Sequence, residues 1–158
     1  MREYSIDAQL QYEANKAYKK LIQQMQAKGW AGVQHLRNAE LEVLKGQRSG
    51  KRYNVPGTGR MKYYKRTHKA TITYRKYSAS APGEPPAVRT GTFRNSWQPF
   101  VKDLPDGVHL RLNTSQNGKK YPGYLENGTK KMKPRPYVER IQTMAEPNIR
   151  RVYQNIKL

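Results

Sequence analysis

Apolar positions recur at three- and four-residue steps along the first part of the chain: Ile6, Leu10, Ala14, Ala17, Leu21 and Met25. This spacing places them on one face of a helix with about 3.6 residues per turn, and Ser5 is a suitable N-cap. Gly29 and Gly32 weaken helical structure, so we expect a kink or break there. The apolar pattern resumes over residues 33–43 and predicts a helix that ends at Gly46.

Residues 45–77 have a different composition, with 11 Lys or Arg and no Asp or Glu. Five tyrosines are interleaved with the basic residues: Tyr53, Tyr63, Tyr64, Tyr74 and Tyr77. Glycine and proline punctuate the segment, and Thr71–Tyr77 alternates in the manner of a strand. We therefore predict an extended basic arm or long hairpin at about residues 46–77. Its predicted tip is Val55–Gly59.

The second half of the chain begins with signals for a short helix and a hairpin. Arg89–Trp97 suits a short helix that Thr90 would cap. Val101–Leu104 and Val108–Leu112 then flank the turn triplet Pro105-Asp106-Gly107. This arrangement predicts a β-hairpin in which alternate residues face the core.

A second long helix is predicted after Pro134 and Pro136. Apolar residues keep the helical step towards the C-terminus: Val138, Ile141, Ala145, Ile149, Val152 and Ile156. The order of elements predicts an α+β fold, in which a long N-terminal helix and a C-terminal helix pack on a small antiparallel sheet. The length of the chain predicts one domain, residues 1–158, with a projecting basic arm.

Composition and charge indicate a chain that works against an acidic partner. Only 35% of the residues are hydrophobic, and 12 are tyrosines, so we expect a thin core. The 31 Lys and Arg residues against 11 acids give a formal charge of +20, which opposes compaction unless a polyanion or an acidic surface is near. Cysteine is absent, and neither a signal peptide nor a membrane span is predicted.

Motifs for nucleotide or metal binding fail in their details. The segment Gly46–Arg52 has three residues between its glycines, and Arg52 occupies the place where a P-loop needs Ser or Thr. The histidines His35, His68 and His109 are far apart and lack the spacing of metal ligands on one element. We predict no catalytic residue, no metal site and no cofactor, and hence a protein that is not an enzyme.

Two segments are similar to a known family. Ser80–Gly91 (SAPGEPPAVRTG), continuing to Arg94-Asn95-Ser96, resembles the central signature of the tail-completion or head-to-tail joining (neck) proteins of long-tailed bacteriophages. Tyr121–Thr129 (YPGYLENGT), continuing through Lys131-Met132 to Pro134-Arg135-Pro136-Tyr137, resembles the second signature of that family. With the flanking pattern, the likeness extends over most of the chain from about residue 33.

The resemblance implies a structural virion protein of the tail or neck, assembled in the host cytoplasm. It implies a homo-oligomeric ring, for which sixfold symmetry is favoured and twelvefold symmetry is the alternative. Adjoining neck and tail-tube proteins would be its partners, and genomic DNA would pass transiently through the lumen. The resemblance implies no membrane partner, and it leaves open whether the protein terminates the tail or joins it to the head.

Candidate contact residues come from the arm and from the two signatures: Arg48, Lys51, Arg52, Tyr53, Arg60, Lys62, Tyr63, Tyr64, Lys65, Arg66, Glu84, Phe93, Trp97, Tyr124, Glu126 and Arg135. Glu84 is the only acid between Glu42 and Asp103. It is interpreted either as the partner of a basic side chain or as a solvated loop carboxylate. Arg135 lies between two prolines. Its side chain is either held in place for a bidentate contact with a carboxylate, or the Pro-Arg-Pro segment only sets the start of the following helix.

Two other functions stay open at this point. The first is a nucleic-acid-binding module that uses residues 45–77, because cations can follow phosphates while aromatic rings stack on bases. The second is a nuclease-like enzyme with acids gathered from distant segments. Since mixtures of Arg and Tyr are typical of protein interface anchors, we expect protein partners to use more of the charge than DNA does. Phe93 and Trp97 are interpreted as core or subunit contacts.

Overall fold

The computed structural model describes residues 6–45, 48–115, 120–154 and 156. Its helices are α1 (Ile6–Val43), α2 (Thr92–Asn95), α3 (Tyr121–Asn127) and α4 (Val138–Gln154). Its strands are β1 (Arg52–Asn54), β2 (Arg60–Tyr64), β3 (Lys69–Thr73), β4 (Lys76–Ser78), β5 (Trp97–Leu104) and β6 (Gly107–Thr114). The predicted α+β fold is confirmed, with a long first helix, a C-terminal helix, small antiparallel sheets and a basic hairpin.

The strands form three separate pairs, whereas the sequence predicted one small sheet. β1 pairs with β4, β2 with β3, and β5 with β6. The first two pairs belong to the basic arm, where every strand residue except Tyr77 and Ser78 is exposed, so no wider sheet is buried on them.

The chain divides into two compact units, which are described separately. The described residues of unit 1 fall within Met1–Ala39, Gln98–Asn113 and Gln142–Leu158, and those of unit 2 within Glu40–Trp97 and Thr114–Ile141. Helices α1 and α4 contribute residues to both units. The single-domain organisation stays a prediction.

In unit 1, helix α1 continues through Gly29 and Gly32, so the predicted break there is wrong. A Cβ atom at Gly29 would lie 2.8 Å from Cγ1 of Val101, and one at Gly32 would lie 2.8 Å from Cδ1 of Leu110. The two glycines therefore allow the β5–β6 hairpin to approach the helix closely. This packing outweighs their low helix propensity, which costs only about 1 kcal/mol per residue.

The β5–β6 hairpin turns where the sequence predicted. On β6, Val108, Leu110 and Leu112 are half-buried while His109 and Arg111 are exposed, as the alternation required. The hydroxyl of Tyr18 on α1 donates to the carbonyl oxygen of Pro105 in the turn, at 3.2 Å.

The apolar stripe of α1 is covered only in part. Ile22 and Val33 are buried, whereas Ile6 is 79% exposed and Leu10 is 65% exposed. The same periodic pattern thus builds a core in one part of the helix and leaves an uncovered apolar strip in its first turns. The expected N-cap, Ser5, lies outside the described residues.

Unit 2 has its core around the end of α1. The buried hydrophobic residues of this unit are Val43, Leu44, Val55, Leu125, Tyr137 and Ile141. Helix α1 ends at Val43, and the amide of Leu44 still donates to the carbonyl oxygen of Glu40 at 2.9 Å. The predicted helix end at Gly46 lies outside the described residues. Glu40 is fully buried in this unit.

The tip of the basic arm differs from the prediction. The turn joins Tyr64 to Lys69 through residues 65–68, and His68 adopts the left-handed conformation with φ 52°. Val55–Gly59 instead forms an irregular step between β1 and β2, in which Val55 is buried and its amide donates to the carbonyl oxygen of Arg75 at 2.7 Å. The glycines and proline of residues 55–59 therefore mark the connection between the β1–β4 pair and the β2–β3 pair, and not the tip of the arm.

Candidate interaction site

The two signature segments, 80–96 and 121–137, lie together in unit 2. The amide of Gly83 donates to the carbonyl oxygen of Pro134 at 3.0 Å. The guanidinium of Arg135 donates to the carbonyl oxygen of Ser80. Arg140 at the start of α4 donates to the carbonyl oxygen of Gly83 at 3.0 Å. Polar contacts to the backbone thus hold the proline-rich loop at residues 80–87 against the segment that opens α4.

Glu84 joins that loop to the segment that follows α1. Its carboxylate accepts hydrogen bonds from the Ser49 hydroxyl at 2.7 Å, the Ser49 amide at 3.1 Å and the Ala81 amide at 2.8 Å. The Ser49 hydroxyl, the two amides and the nearby charge of Arg48 lower the pKa of the Glu84 carboxyl below its ordinary value. Among the described residues, its direct contacts are with Ser49 and Ala81, and not with the basic side chain that one interpretation expected.

Arg48 and Arg135 both contact backbone oxygens. Nε of Arg48 donates to the carbonyl oxygen of Pro85 at 3.1 Å, and its Nη2 donates to that of Val43. Within the described part of the chain, the side-chain contact of Arg135 is the carbonyl oxygen of Ser80, and not the carboxylate that one interpretation expected. These guanidinium groups stabilise the loop from two sides, since hydrogen bonds from charged donors are stronger than neutral ones.

Glu126 stabilises the start of α4 from another helix. Its Oε2 accepts hydrogen bonds from the amides of Tyr137 at 2.9 Å and Val138 at 3.3 Å. A carboxylate at a helix N-terminus satisfies amides that have no partner within the helix and complements the helix dipole. Pro136, a residue type suited to the first turn of a helix, here precedes α4, which starts at Val138. Tyr124, which immediately precedes the buried Leu125 in α3, is exposed.

Four aromatic rings form one cluster, three from the two signatures and one from Trp97, which directly follows the first signature. Phe93 lies edge-to-face with Trp97 at 5.7 Å, Tyr121 at 5.7 Å and Tyr137 at 5.6 Å between ring centroids. Tyr137 also contacts Trp97 at 6.0 Å. Burial, with the charge of Glu126 as a second cause, raises the pKa of Tyr137 to about 12. Phe93 and Trp97 thus serve the core of unit 2, and a subunit contact for them stays a prediction.

A cleft of about 320 Å³ opens beside this cluster. The described residues that line it include Leu44, Val88, Phe93, Arg89 and Arg94, and they include neither a carboxylate nor an imidazole. Nε of Arg94 donates to the carbonyl oxygen of Leu41 at 3.1 Å. The cleft is thus an apolar recess with a cationic edge.

The basic hairpin β2–β3 is the most exposed feature of unit 2. Every residue from Arg60 to Lys76 is exposed, including the candidate residues Lys62, Tyr63, Tyr64, Lys65 and Arg66. Its base is the β1–β4 pair, where the rings of Tyr53 and Tyr77 pack at 5.9 Å and the ammonium of Lys51 lies 5.9 Å from the Tyr53 ring centroid. Arg52 is exposed on the other side of the same strand.

The structure separates the candidate residues into two groups. Arg48, Glu84, Phe93, Trp97, Glu126 and Arg135 belong to the framework of the signature segments, and the rest, apart from Tyr124, belong to the arm. Sequence reasoning missed Ser49, Ser80 and Tyr137 as members of the framework. The only signal for Ser49 was the lone acid Glu84, which needed a partner in a basic region.

Neither a metal site nor a membrane span is found in the described part of the chain. Over residues 6–45, 48–115, 120–154 and 156, no group of three or more His, Asp or Glu side chains could hold a metal ion. In the same residues, no helix is both long and apolar enough to cross a membrane. Comparison with family models, curated proteins and solved structures gave no match.

Acid should weaken the loop that Glu84 holds. Because the pKa of Glu84 is lowered in the folded state, its contribution to stability is present above its unfolded pKa of about 4.5 and is lost as pH falls through the folded value. Glu84→Gln should therefore flatten the loss of stability in thermal unfolding between about pH 6 and pH 3. Glu42→Gln, which removes only an exposed pair with Lys45, is the control. An equal flattening by both variants would contradict this assignment.

Proposed function

We propose that this chain is a structural protein of a tailed-phage virion, a ring component that completes the tail or joins it to the head. The proposal begins from the resemblance of residues 80–96 and 121–137 to the signatures of tail-completion and neck proteins. Its residues would act through folding and contact, with no reaction to catalyse.

The framework in unit 2 supports a structural role for the signatures. Their two carboxylates, Glu84 and Glu126, bind backbone amides, and Arg135 binds a backbone carbonyl. Groups committed in this way fix the path of the chain and are poorly placed to transfer protons to a substrate. The signature residues thus shape a scaffold from which other surfaces make contact.

The observation that carries the proposal is the uncovered surface of the hairpin. Met61 is 76% exposed and Ile72 is 57% exposed on β2 and β3, in a chain that is poor in hydrophobic residues. Adjacent exposed apolar side chains mark interaction surfaces. A subunit of a ring gains cover for such a surface from its neighbours, because heterologous contacts that close on themselves generate rings.

Deletion of the hairpin tests the proposal. A variant in which a Gly-Gly link replaces Arg60–Thr73 keeps Val55 and the β1–β4 pair, so its thermal unfolding should stay within a few degrees of the parent. The parent should form a closed ring in native mass spectrometry, with six subunits favoured, or be a stoichiometric component of isolated tails. The deletion variant should lose most of that assembly.

The matched control leaves the hairpin in place and removes charge elsewhere. Lys130, Lys131 and Lys133 are exposed, and their replacement by Gln should leave assembly unchanged. A chain that stays monomeric at all concentrations and does not enter tail particles would overturn the proposal. A monomer that binds oligonucleotides would favour the nucleic-acid module instead.

A further inference from the structure

The pairing of β2 with β3 sorts the hairpin into two chemically different faces. Residues directly opposite in an antiparallel pair point to the same side, and neighbours along a strand point to opposite sides. The pairs Met61–Ile72 and Tyr63–Ala70 therefore share one face, which is apolar. The other face carries the pairs Arg60–Thr73, Lys62–Thr71 and Tyr64–Lys69. We call it the cationic face.

The cationic face is uniform in charge and is extended by the turn. Arg60, Lys62 and Lys69 alternate on it with the threonine hydroxyls, and Lys65 and Arg66 follow in the turn. All of these residues are exposed, and residues 45–77 contain no acid. Its ligand must supply several negative charges along a line about 17 Å long, the length of a five-residue strand.

A second copy of this chain is a poor source of those charges. Its formal charge is also +20. Glu13, Glu42 and Glu146 already pair with lysine or arginine in their own helix or beside it. Glu84 and Glu126 are bound to backbone amides. Asp7, Asp103, Asp106 and Glu139 are exposed, but they are scattered over α1, the β5–β6 hairpin and α4 and supply only one or two charges at each place. We therefore take the ligand of the cationic face to be another polyanion.

The residue types favour nucleic acid over an acidic protein. Protein interfaces are depleted in lysine, whereas lysine is a standard phosphate ligand. Threonine hydroxyls also donate to phosphate oxygens, and Thr71 supplies one here, while the hydroxyl of Thr73 donates to the carbonyl oxygen of Arg60 at 3.3 Å. Lys62, Lys65 and Lys69 supply three of the five Lys and Arg charges on this face and its turn. A two-stranded ribbon also fits the major groove of B-DNA, which is about 12 Å wide.

The tyrosines favour duplex over single-stranded nucleic acid. Single strands need free aromatic faces on which bases can stack. The ammonium of Lys62 lies 5.4 Å from the ring centroid of Tyr64, the one tyrosine on the cationic face of the ladder. Tyr63 lies on the apolar face and its hydroxyl is 3.2 Å from Nδ1 of His68. The cationic face thus offers charge and the hydroxyl of Thr71, with little room for stacking.

We infer that the cationic face of the β2–β3 hairpin binds duplex nucleic acid through its phosphates, without sequence preference. This inference departs from the expectation that protein partners use most of the charge, because the register separates an apolar face, suited to protein contacts, from the cationic face. This inference does not depend on the proposed virion role, because it concerns the purified chain.

The test measures binding of the full chain to a labelled duplex of mixed sequence, about 20 base pairs long, by fluorescence anisotropy at several salt concentrations. The variant Arg60→Gln, Lys62→Gln, Lys69→Gln removes three charges from the cationic face. It should weaken binding at least about tenfold and reduce the slope of log K against log salt by about 3. Circular dichroism of each variant checks that it is folded.

Two matched variants distinguish the contribution of the cationic face to duplex binding from the contributions of net charge and of the apolar face. Replacing Lys130, Lys131 and Lys133 by Gln removes the same charge elsewhere in unit 2 and should reduce affinity less than about threefold. Met61→Ser with Ile72→Ser should leave duplex binding within about twofold of the parent, since phosphate contacts dominate the affinity.

Three results would overturn the inference. Equal losses from the two charge variants would assign binding to net charge alone. Tighter binding of a single strand of the same length would point to stacking on tyrosines. Displacement of the duplex by polyglutamate at equal charge concentration would identify an acidic protein as the ligand. None of these results bears on ring formation, so they are distinguishable from failure of the proposed function.

Discussion

Replacing Tyr137 with alanine will lower the free energy of unfolding by about 3–5 kcal/mol, the range for removal of a large aromatic side chain from a core. Tyr137 is only 2% exposed. Its ring contacts Phe93 and Trp97, and its hydroxyl donates to the carbonyl oxygen of Pro122 at 3.3 Å. The cluster therefore loses its most buried member, and a cavity remains between segments that are distant in the chain. Chemical denaturation followed by tryptophan fluorescence measures the loss.

Tyr137→Phe is the matched control, because it keeps the ring and removes only the hydroxyl. It should cost about 0.5–1.5 kcal/mol, the usual net value of one hydrogen bond. The same variant tests the raised pKa of about 12. Because the folded state holds the Tyr137 proton more tightly, the parent should lose stability as pH rises from about 10 to 12, and the Phe variant should lose less.

If Tyr137→Ala and Tyr121→Ala lowered the free energy of unfolding by similar amounts, Tyr137 would not be the ring that contributes most to the aromatic cluster. Tyr121 is about half exposed and contacts the cluster through Phe93 alone among the described ring pairs. Its removal should cost clearly less, since part of the ring stays in water in the folded state.

The long helices could be predicted because their apolar spacing is a local property of the sequence. The same is true of the β5–β6 hairpin, whose turn and alternation lie within a few adjacent residues. Gly29 and Gly32 misled the prediction because their effect depends on Val101 and Leu110, about 70 residues further along. Helix propensity describes an isolated helix, and tertiary packing decided the outcome here.

The tip of the arm was misplaced for a related reason. Val55–Gly59 and Lys65–His68 are both compatible with a turn, and glycine and proline made the first look stronger. The β2–β3 pairing runs from Arg60–Thr73 to Tyr64–Lys69, so the tip of the arm is the turn at residues 65–68. His68 in this turn takes a left-handed conformation that glycine or asparagine usually supplies. Strand register depends on which residues meet across the pair, and the sequence offered several choices.

The site was predicted as a set of residues but not as a set of partners. Glu84 and Arg135 were singled out, and both make specific polar contacts, yet each binds a group other than the one expected. Backbone amides and carbonyls are the commonest partners of polar side chains, and they leave no trace in the sequence. Ser49, 35 residues from Glu84, therefore could not be identified in advance.

Gly128→Ala will be the other strongly destabilising substitution, with an expected cost of about 2–4 kcal/mol from backbone strain and steric overlap together. Gly128 ends α3 with φ 77°. A Cβ atom there would lie 2.7 Å from the carbonyl oxygen of Met132 and 2.9 Å from the backbone nitrogen of Pro134. Both neighbours are main-chain atoms in the segment that opens α4, so they cannot move as a flexible side chain would.

Two other glycines separate the contributions to this cost. Gly83→Ala introduces a side chain at φ 81° with nothing within 4 Å, so it should cost about 1–2 kcal/mol from the backbone conformation alone. Gly123→Ala lies within α3 in open space and should be neutral or stabilise by up to about 1 kcal/mol. Thermal or chemical unfolding of the three variants should therefore rank Gly128 above Gly83 and Gly83 above Gly123. If Gly128→Ala costs no more than Gly83→Ala, then the turn at residues 128–134 yields to a methyl group, and close packing at its backbone is not what fixes the start of α4.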